Sequence, residues 1–238
     1  MTQPVILHIE TATNICSVAL SKNDQLLAIR ENDEDRSHGS LLTIFVEEVL
    51  EEAGLGPDKL DAVAVSKGPG SYTGLRIGVS ATKGIAYARD IPVIGMVTLR
   101  AMVLAARDHQ EVRKLEISHP GLLFCPMIDA RRMEVFSAVY NADLEEKQPV
   151  EATIVDGESF RELLDDQPVL FFGNGADKTR DTISNSNALF MSGITPSASF
   201  MIPLALEAYR KKEFEDTAYF EPYYLKDFVA TTPRKKVL

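Results

Sequence analysis

The chain has 238 residues, 45% apolar and 25% charged, which argues against a disordered protein and allows one large domain or two modest ones. Thirty-five acidic residues against 25 basic ones leave a net charge of −10. That balance argues against strong nucleic-acid binding by the chain alone, because neutralised phosphates and released counterions supply much of such affinity.

Residues 1–4 show neither the basic region nor the apolar core of a signal sequence. An apolar strand is expected over 5–10 (VILHIE), then a polar turn at 11–14 and strands at 16–21 and 25–31, hinged by Lys22-Asn23-Asp24. Helical periodicity over 40–53 stops at Gly54. A short strand at 62–66 leads into a glycine-rich loop at 68–74 and a small-residue helix over 76–89. A strand at 93–97 and a helix at 98–108 complete the first half. Residues 93–106 form the longest mostly apolar stretch, which Arg100 interrupts and which is too short to span a bilayer.

After a polar stretch at 109–120, strands are expected at 122–128, 133–140 and 150–155. A helix at 158–165, a strand at 169–172 and the turn Gly173-Asn174-Gly175 follow, then a weaker helix near 176–183, a strand at 188–191 and a helix at 199–212. Cys16 and Cys125 fall in strand-like runs and read as free core thiols of a reduced compartment. The expectation is a cytoplasmic protein without membrane contact. The basic cluster Arg234-Lys235-Lys236 reads as a solvated tail.

Three strands, helix, strand, helix, strand, helix thus occurs twice. Three meandering strands before any helix predict a mixed sheet, and the doubled order predicts a duplicated ribonuclease-H-like α/β fold. This is the architecture of the actin, sugar-kinase and Hsp70 superfamily (ASKHA). The expected division is an N-terminal domain over 1–108, a smaller second domain over 109–217 and an extension over 218–238 that packs back or stays flexible.

Lys67-Gly68-Pro69-Gly70-Ser71-Tyr72-Thr73-Gly74-Leu75-Arg76-Ile77-Gly78 is the strongest local string. Its glycines permit close backbone approach, and the loop runs into a helix N-terminus, so an anion cradle and a tight packing turn both remain open. The spacing GxGxxxG departs from the dinucleotide GxGxxG, and no Lys-Ser or Lys-Thr completes a Walker loop. In Glu10-Thr11-Ala12-Thr13, Ala12 stands where a superfamily kinase places a phosphate-approaching glycine. His8, His38, His109 and His119 are scattered and predict no metal site. Asp129-Ala130-Arg131-Arg132 places two arginines at a hairpin, able to meet a carboxylate or phosphate or simply to face solvent.

The apolar residues of the helix over 40–53 cover roughly two-thirds of its circumference, wider than one sheet face needs. The small-residue helix beside it carries Gly78, Ser80, Ala81 and Gly84. Surplus apolar surface next to a smooth helix predicts a protein–protein interface built from Leu41, Leu42, Phe45, Val46, Val49, Gly78, Ala81 and Gly84.

These strings together resemble the TsaB family. Residues 6–20, Ser37-His38-Gly39-Ser40, the GPGSYTGLRIG loop, Lys83-Gly84, Asp129-Ala130-Arg131-Arg132 and Glu221-Pro222-Tyr223-Tyr224-Leu225 carry the resemblance, which covers nearly the whole chain. The matching motif residues are Glu10, Thr11, His38, Gly68, Gly70, Ser71, Thr73, Gly74, Arg76, Asp129, Arg131 and Arg132. The resemblance implies a catalytically silent partner of TsaD, with TsaE supplying ATPase function and no cofactor of its own. The reaction it serves is threonylcarbamoyl transfer to N6 of adenosine 37 in tRNAs reading ANN codons, and tRNA is met only through the complex. Members of the family also self-associate through the same surface. Where TsaD carries an acidic pair, this chain has Asn14-Ile15; where TsaD carries metal-binding histidines, it has Thr98 and Met102. The competing expectation is an active superfamily kinase or a glycoprotease-like metallohydrolase, which would need a phosphate-gripping glycine near Glu10 and a metal constellation.

Overall fold

The structure is a computed structural model that describes residues 3–33 and 38–225. β1 (Val5–Glu10) pairs antiparallel with β2 (Cys16–Lys22), and β2 with β3 (Gln25–Asn32). Helix α1 (His38–Glu52) follows, then β4 (Ala62–Gly68), helix α2 (Tyr72–Arg89) and β5 (Val93–Val97). β4 lies parallel to β1 and β5 parallel to β4, giving the order β3-β2-β1-β4-β5. Every residue of β1 is buried, as an unbroken apolar run in a central strand requires. His8 and Glu10 are the exceptions in chemistry: Ser21 Oγ lies 2.8 Å from His8 Nε2, and burial pushes the His8 pKa down to about 3.

Helices α3 (Thr98–Asp108) and α4 (Gln110–Ser118) lead to the second sheet. There β6 (Leu123–Asp129), β7 (Glu134–Tyr140) and β8 (Glu146–Ile154) form an antiparallel meander. Helix α5 (Arg161–Asp166), β9 (Val169–Phe172) and β10 (Ala188–Met191) follow, with β9 and β10 parallel to β6. The order β10-β9-β6-β7-β8, read from its other edge, reproduces the first sheet strand for strand. The fold is the duplicated ribonuclease-H-like α/β architecture that the doubled element order predicts.

The last helix of each half reaches across to the other, α3 also keeping Ala101 against the first sheet. α3 follows β5, yet Leu99, Met102, Val103 and Ala106 join the core around Phe124, Leu170 and Phe172 of the second sheet. Helix α6 (Ile202–Lys211) follows the second sheet, yet Leu204, Ala205 and Ala208 pack on Ile6, Ala62, Ala64 and Ile94 of the first. By packing, therefore, α6 belongs with the first sheet although it falls in the span 109–217.

Two expectations on local structure need correction. The stretch 109–120 holds α4, an amphipathic helix in which only Val112 is buried, so its periodicity is faint against its charge. The helix near 176–183 is a single 3-10 turn, Asp177–Thr179. Beyond α6, residues 213–225 pass around the edge of β5, where Glu215 bridges Val93, and insert Phe220 into the core of the first half. The described part of the extension, 218–225, thus packs back; Arg234, Lys235 and Lys236 lie outside the described residues.

Candidate functional site

The glycine loop is a packing joint. Ser71 caps α2, its Oγ accepting from Gly74 N at 3.2 Å, which starts the helix at Tyr72, earlier than the apolar pattern indicates. Ser71 N donates to Ala12 O at 2.6 Å. A Cβ on Gly70 would overlap the Ala12 carbonyl, and one on Gly74 would overlap that of Thr11. The hairpin at 10–13 and the first turn of α2 therefore meet backbone to backbone, as the packing reading of the loop expects. Gly68 takes φ +109 beneath Tyr223, whose carbonyl would lie 3.1 Å from an added Cβ.

Glu10 is sealed behind this joint. Its carboxyl is fully buried, Oε1 accepts from Ala12 N at 2.6 Å, and Oε2 has no hydrogen-bond partner among the described residues. Desolvation raises its pKa to about 7, against the opposing pull of hydrogen bonds from Ala12 and Ser66. Thr11 Oγ1 is also buried without a partner, under Gly78. His38 Nε2 lies 3.1 Å from Ile15 O, which ties the start of α1 to the residue before β2. Thr73 and Arg76 are exposed on α2, and Arg76 donates to Tyr72 OH at 2.9 Å.

Between the halves lies a cleft of about 890 Å³, lined by Thr13, Ser71 and Tyr72 on one side and by Asp129, Arg131 and Asn174 on the other. Arg131 and Arg132 occupy a tight turn with φ 72 and φ 53, a left-handed conformation uncommon outside glycine and asparagine. Sequence reasoning missed what holds it. Lys178, 49 residues away, pairs with Asp129 and donates to the carbonyls of Arg132 and Glu134 at 2.7 Å each. Asn174 Oδ1 accepts from Asp129 N at 2.9 Å. No local pattern marks Lys178, because only the sheet brings it to the hairpin.

The helix pair divides differently from expectation. Leu42 and Val49 are fully enclosed in the core of the first half, and Gly78 faces β1, so these three are not available to a partner. Phe45, Val46 and Ala81 are half-buried against that same core, and Leu41 is half-buried. The surplus of apolar residues on α1 is mostly consumed by β2 and β3. What stays open is narrower: Gly84, with nothing within 4 Å of an added Cβ, Ile44 at 46% exposure and Tyr87 at 87%. Ile44 and Tyr87 were absent from the expected interface, yet a helical projection places Ile44 opposite Leu42 and Val49.

Thr98 and Met102, expected from the resemblance to stand in place of TsaD's histidines, are fully buried. Among the described residues no group of three or more His, Cys, Asp or Glu side chains could hold a metal ion. Nor is any helix among them long and apolar enough to cross a membrane. Both cysteines are free and buried, and burial raises the Cys16 thiol to about 11.

A family model described as TsaD, tRNA N6-adenosine threonylcarbamoyltransferase, matches residues 27–233. The tRNA threonylcarbamoyladenosine biosynthesis protein TsaB of Escherichia coli is 30% identical over 94% of this chain and 96% of its own length. A tRNA N6-adenosine threonylcarbamoyltransferase of Bacillus thuringiensis is 34% identical, but over only 46% of this chain and 36% of its own. Among solved structures, YeaZ from Pseudomonas aeruginosa shares the fold with a TM-score of 0.78 and 24% identity, covering 93% of this chain and all of that one.

Proposed function

The chain belongs to the TsaB family of tRNA threonylcarbamoyladenosine biosynthesis proteins, and from that premise we propose that it is a non-catalytic subunit for threonylcarbamoyl transfer to N6 of adenosine 37 in tRNAs reading ANN codons. It heterodimerises with the transferase TsaD through the α1–α2 face and holds that enzyme in its active arrangement, which requires only a binding preference between two states. TsaE and tRNA are met within this cytoplasmic assembly, in keeping with a net charge of −10 on the chain itself.

The observation that carries the reading is the open crest of the helix pair. Ser80 and Gly84 let another helix approach closely, while Ile44 and Tyr87 offer apolar surface left exposed by the described residues. The rival reading, an active kinase or metallohydrolase of the same superfamily, has no comparable support: the Glu10 carboxyl is turned into the core and Ala12 is pressed against Gly70. A second copy of the chain would compete for the same face.

The test is calorimetric titration of purified TsaD with the wild-type chain and with Ile44→Asp, followed by nucleoside mass spectrometry of bulk tRNA from cells depleted of the chain. The expected result is a stable complex, lost with Ile44→Asp, and loss of threonylcarbamoyladenosine on depletion. Full modification in depleted cells that hold no second copy would overturn the reading.

A further inference from the structure

Residues 213–225 form a strap that leaves α6, rounds the edge of the first sheet and runs up the flank of α2. Three anchors seat it. Glu215 N donates to Val93 O at 2.9 Å while its carboxylate pairs with Lys67 Nζ at 3.0 Å. Phe220, 7% exposed, fills the core beneath α2. Tyr223 N donates to Lys67 O at 2.6 Å, and the Tyr224 ring packs on Tyr72 with centroids 5.0 Å apart.

Between these anchors Lys83 of α2 reaches across the flank. Its Nζ donates to Ala218 O at 3.0 Å and to Phe220 O at 3.2 Å. Tyr219 lies between the two gripped carbonyls and is 84% exposed. Tyr87 follows Lys83 by four residues, so it stands about 40° around α2 from that tether. The two most exposed large hydrophobic side chains among the described residues therefore sit on either side of one lysine. Rigid, amphipathic rings on a fixed backbone are the usual anchors of an interface.

Carboxylates outnumber cations around this surface, where Arg76 of α2 is exposed and Lys83 is held by the strap carbonyls. Glu47 and Glu51 share the exposed side of α1 with Ile44, while Asp216 and Glu221 are exposed on the strap. None of the four makes a salt bridge among the described residues. A second copy of this chain would bring the same excess of carboxylates, so charge favours a different chain with basic residues around its contact.

We propose that the strap is the third stripe of the docking face, beside α1 and α2, and that Tyr87 and Tyr219 anchor a partner subunit whose contact surface is bordered by lysine or arginine. This rests on the α1–α2 face being the docking surface. Titrations of purified TsaD with Tyr87→Ala, Tyr219→Ala and the double variant test it, with Gly84→Leu as the probe of the helix face itself. Each tyrosine variant keeps the wild-type melting temperature and weakens binding about tenfold, the size of a typical interface anchor. Tyr219→Lys, which sets a cation against the basic border, weakens it more than Tyr219→Ala. If Gly84→Leu abolishes binding while the double tyrosine variant binds like wild type, the strap is no part of the interface and the helix-face reading stands. If Gly84→Leu binds normally, the helix-face reading falls and the strap proposal falls with it.

Discussion

The two halves share one strand order and differ in what they set upon it. The first half carries α1 of 15 residues and α2 of 18, locked to the β1–β2 hairpin through glycines. At the equivalent places the second half has α5 of six residues and a 3-10 turn of three. Phe160, in the left-handed region at φ 64, delays α5, and the turn Asp156–Ser159 occupies the start that the sequence pattern gives to the helix. A duplicated fold can thus keep its sheets while redistributing its helices. Long helices persist where a surface is offered outward, and short turns suffice where only the sheet must be covered.

The sharpest way to break this contrast is to load the joint of the first half. Gly74→Val would drive side-chain carbons into the Thr11 carbonyl, and a loss of at least about 3 kcal/mol of stability is expected from such overpacking in denaturant titration. Gly193, at φ +82 with nothing near it, belongs to the second half, and Gly193→Ala should cost only about 1 kcal/mol, from backbone strain alone. Equal losses would mean that the α2 joint is looser than its geometry indicates.

A second contrast lies within α1. Val49→Asp buries an unpaired carboxylate and should unfold the first half, with a loss of several kcal/mol. Ile44→Asp, at an exposed position, should shift stability by less than about 0.5 kcal/mol in the same assay.

The buried pair on β1 offers a third. Glu10 is raised from 4.5 to about 7, so its stabilising contribution is present below pH 4.5 and is lost as pH rises toward 7. His8 is lowered from 6.5 to about 3, so its contribution is present above pH 6.5 and is lost as pH falls toward 3. The two slopes oppose each other between pH 4.5 and 6.5. Glu10→Gln removes one of them and should gain roughly 2 kcal/mol relative to wild type between pH 5 and pH 8. A difference that stays flat across that range would place the Glu10 carboxyl in contact with water.

A last, modest effect belongs to the second half. Lys178→Met removes the tie from outside on the Asp129–Glu134 turn and leaves its two left-handed arginines held only by the bonds within the hairpin and by Asn174, at an expected cost of about 1 kcal/mol. Faster amide exchange confined to residues 129–134 is the direct readout.

Long, strongly patterned elements were legible in the sequence: β1, β5, α3, β9 and β10 begin and end where periodicity and turn residues put them. The misses have physical causes. α2 begins early because a serine cap, not an apolar residue, starts it. α4 hides in charge, with one buried side chain to mark it. The width of the apolar arc on α1 pointed to a surface, but a single sequence cannot divide that arc between its own sheet and a partner, so Leu42 and Val49 were grouped with residues that face outward. Lys178 and the strap tether at Lys83 depend on contacts across 49 and 135 residues, which no local pattern encodes.

The exchange of terminal helices has a consequence for how the chain is made. Synthesis delivers β1 first, yet Ile6 is covered in part by Ala205, about 200 residues later, so one face of the nascent first sheet has only the Ala101 side of α3 upon it until translation is nearly finished. Long-range closure of this kind slows folding and exposes intermediates. A ribosome stalled before α6 would therefore hold a sheet with an unmet apolar side, a natural client for a chaperone, and truncation at residue 201 would yield an insoluble product, not a smaller working protein.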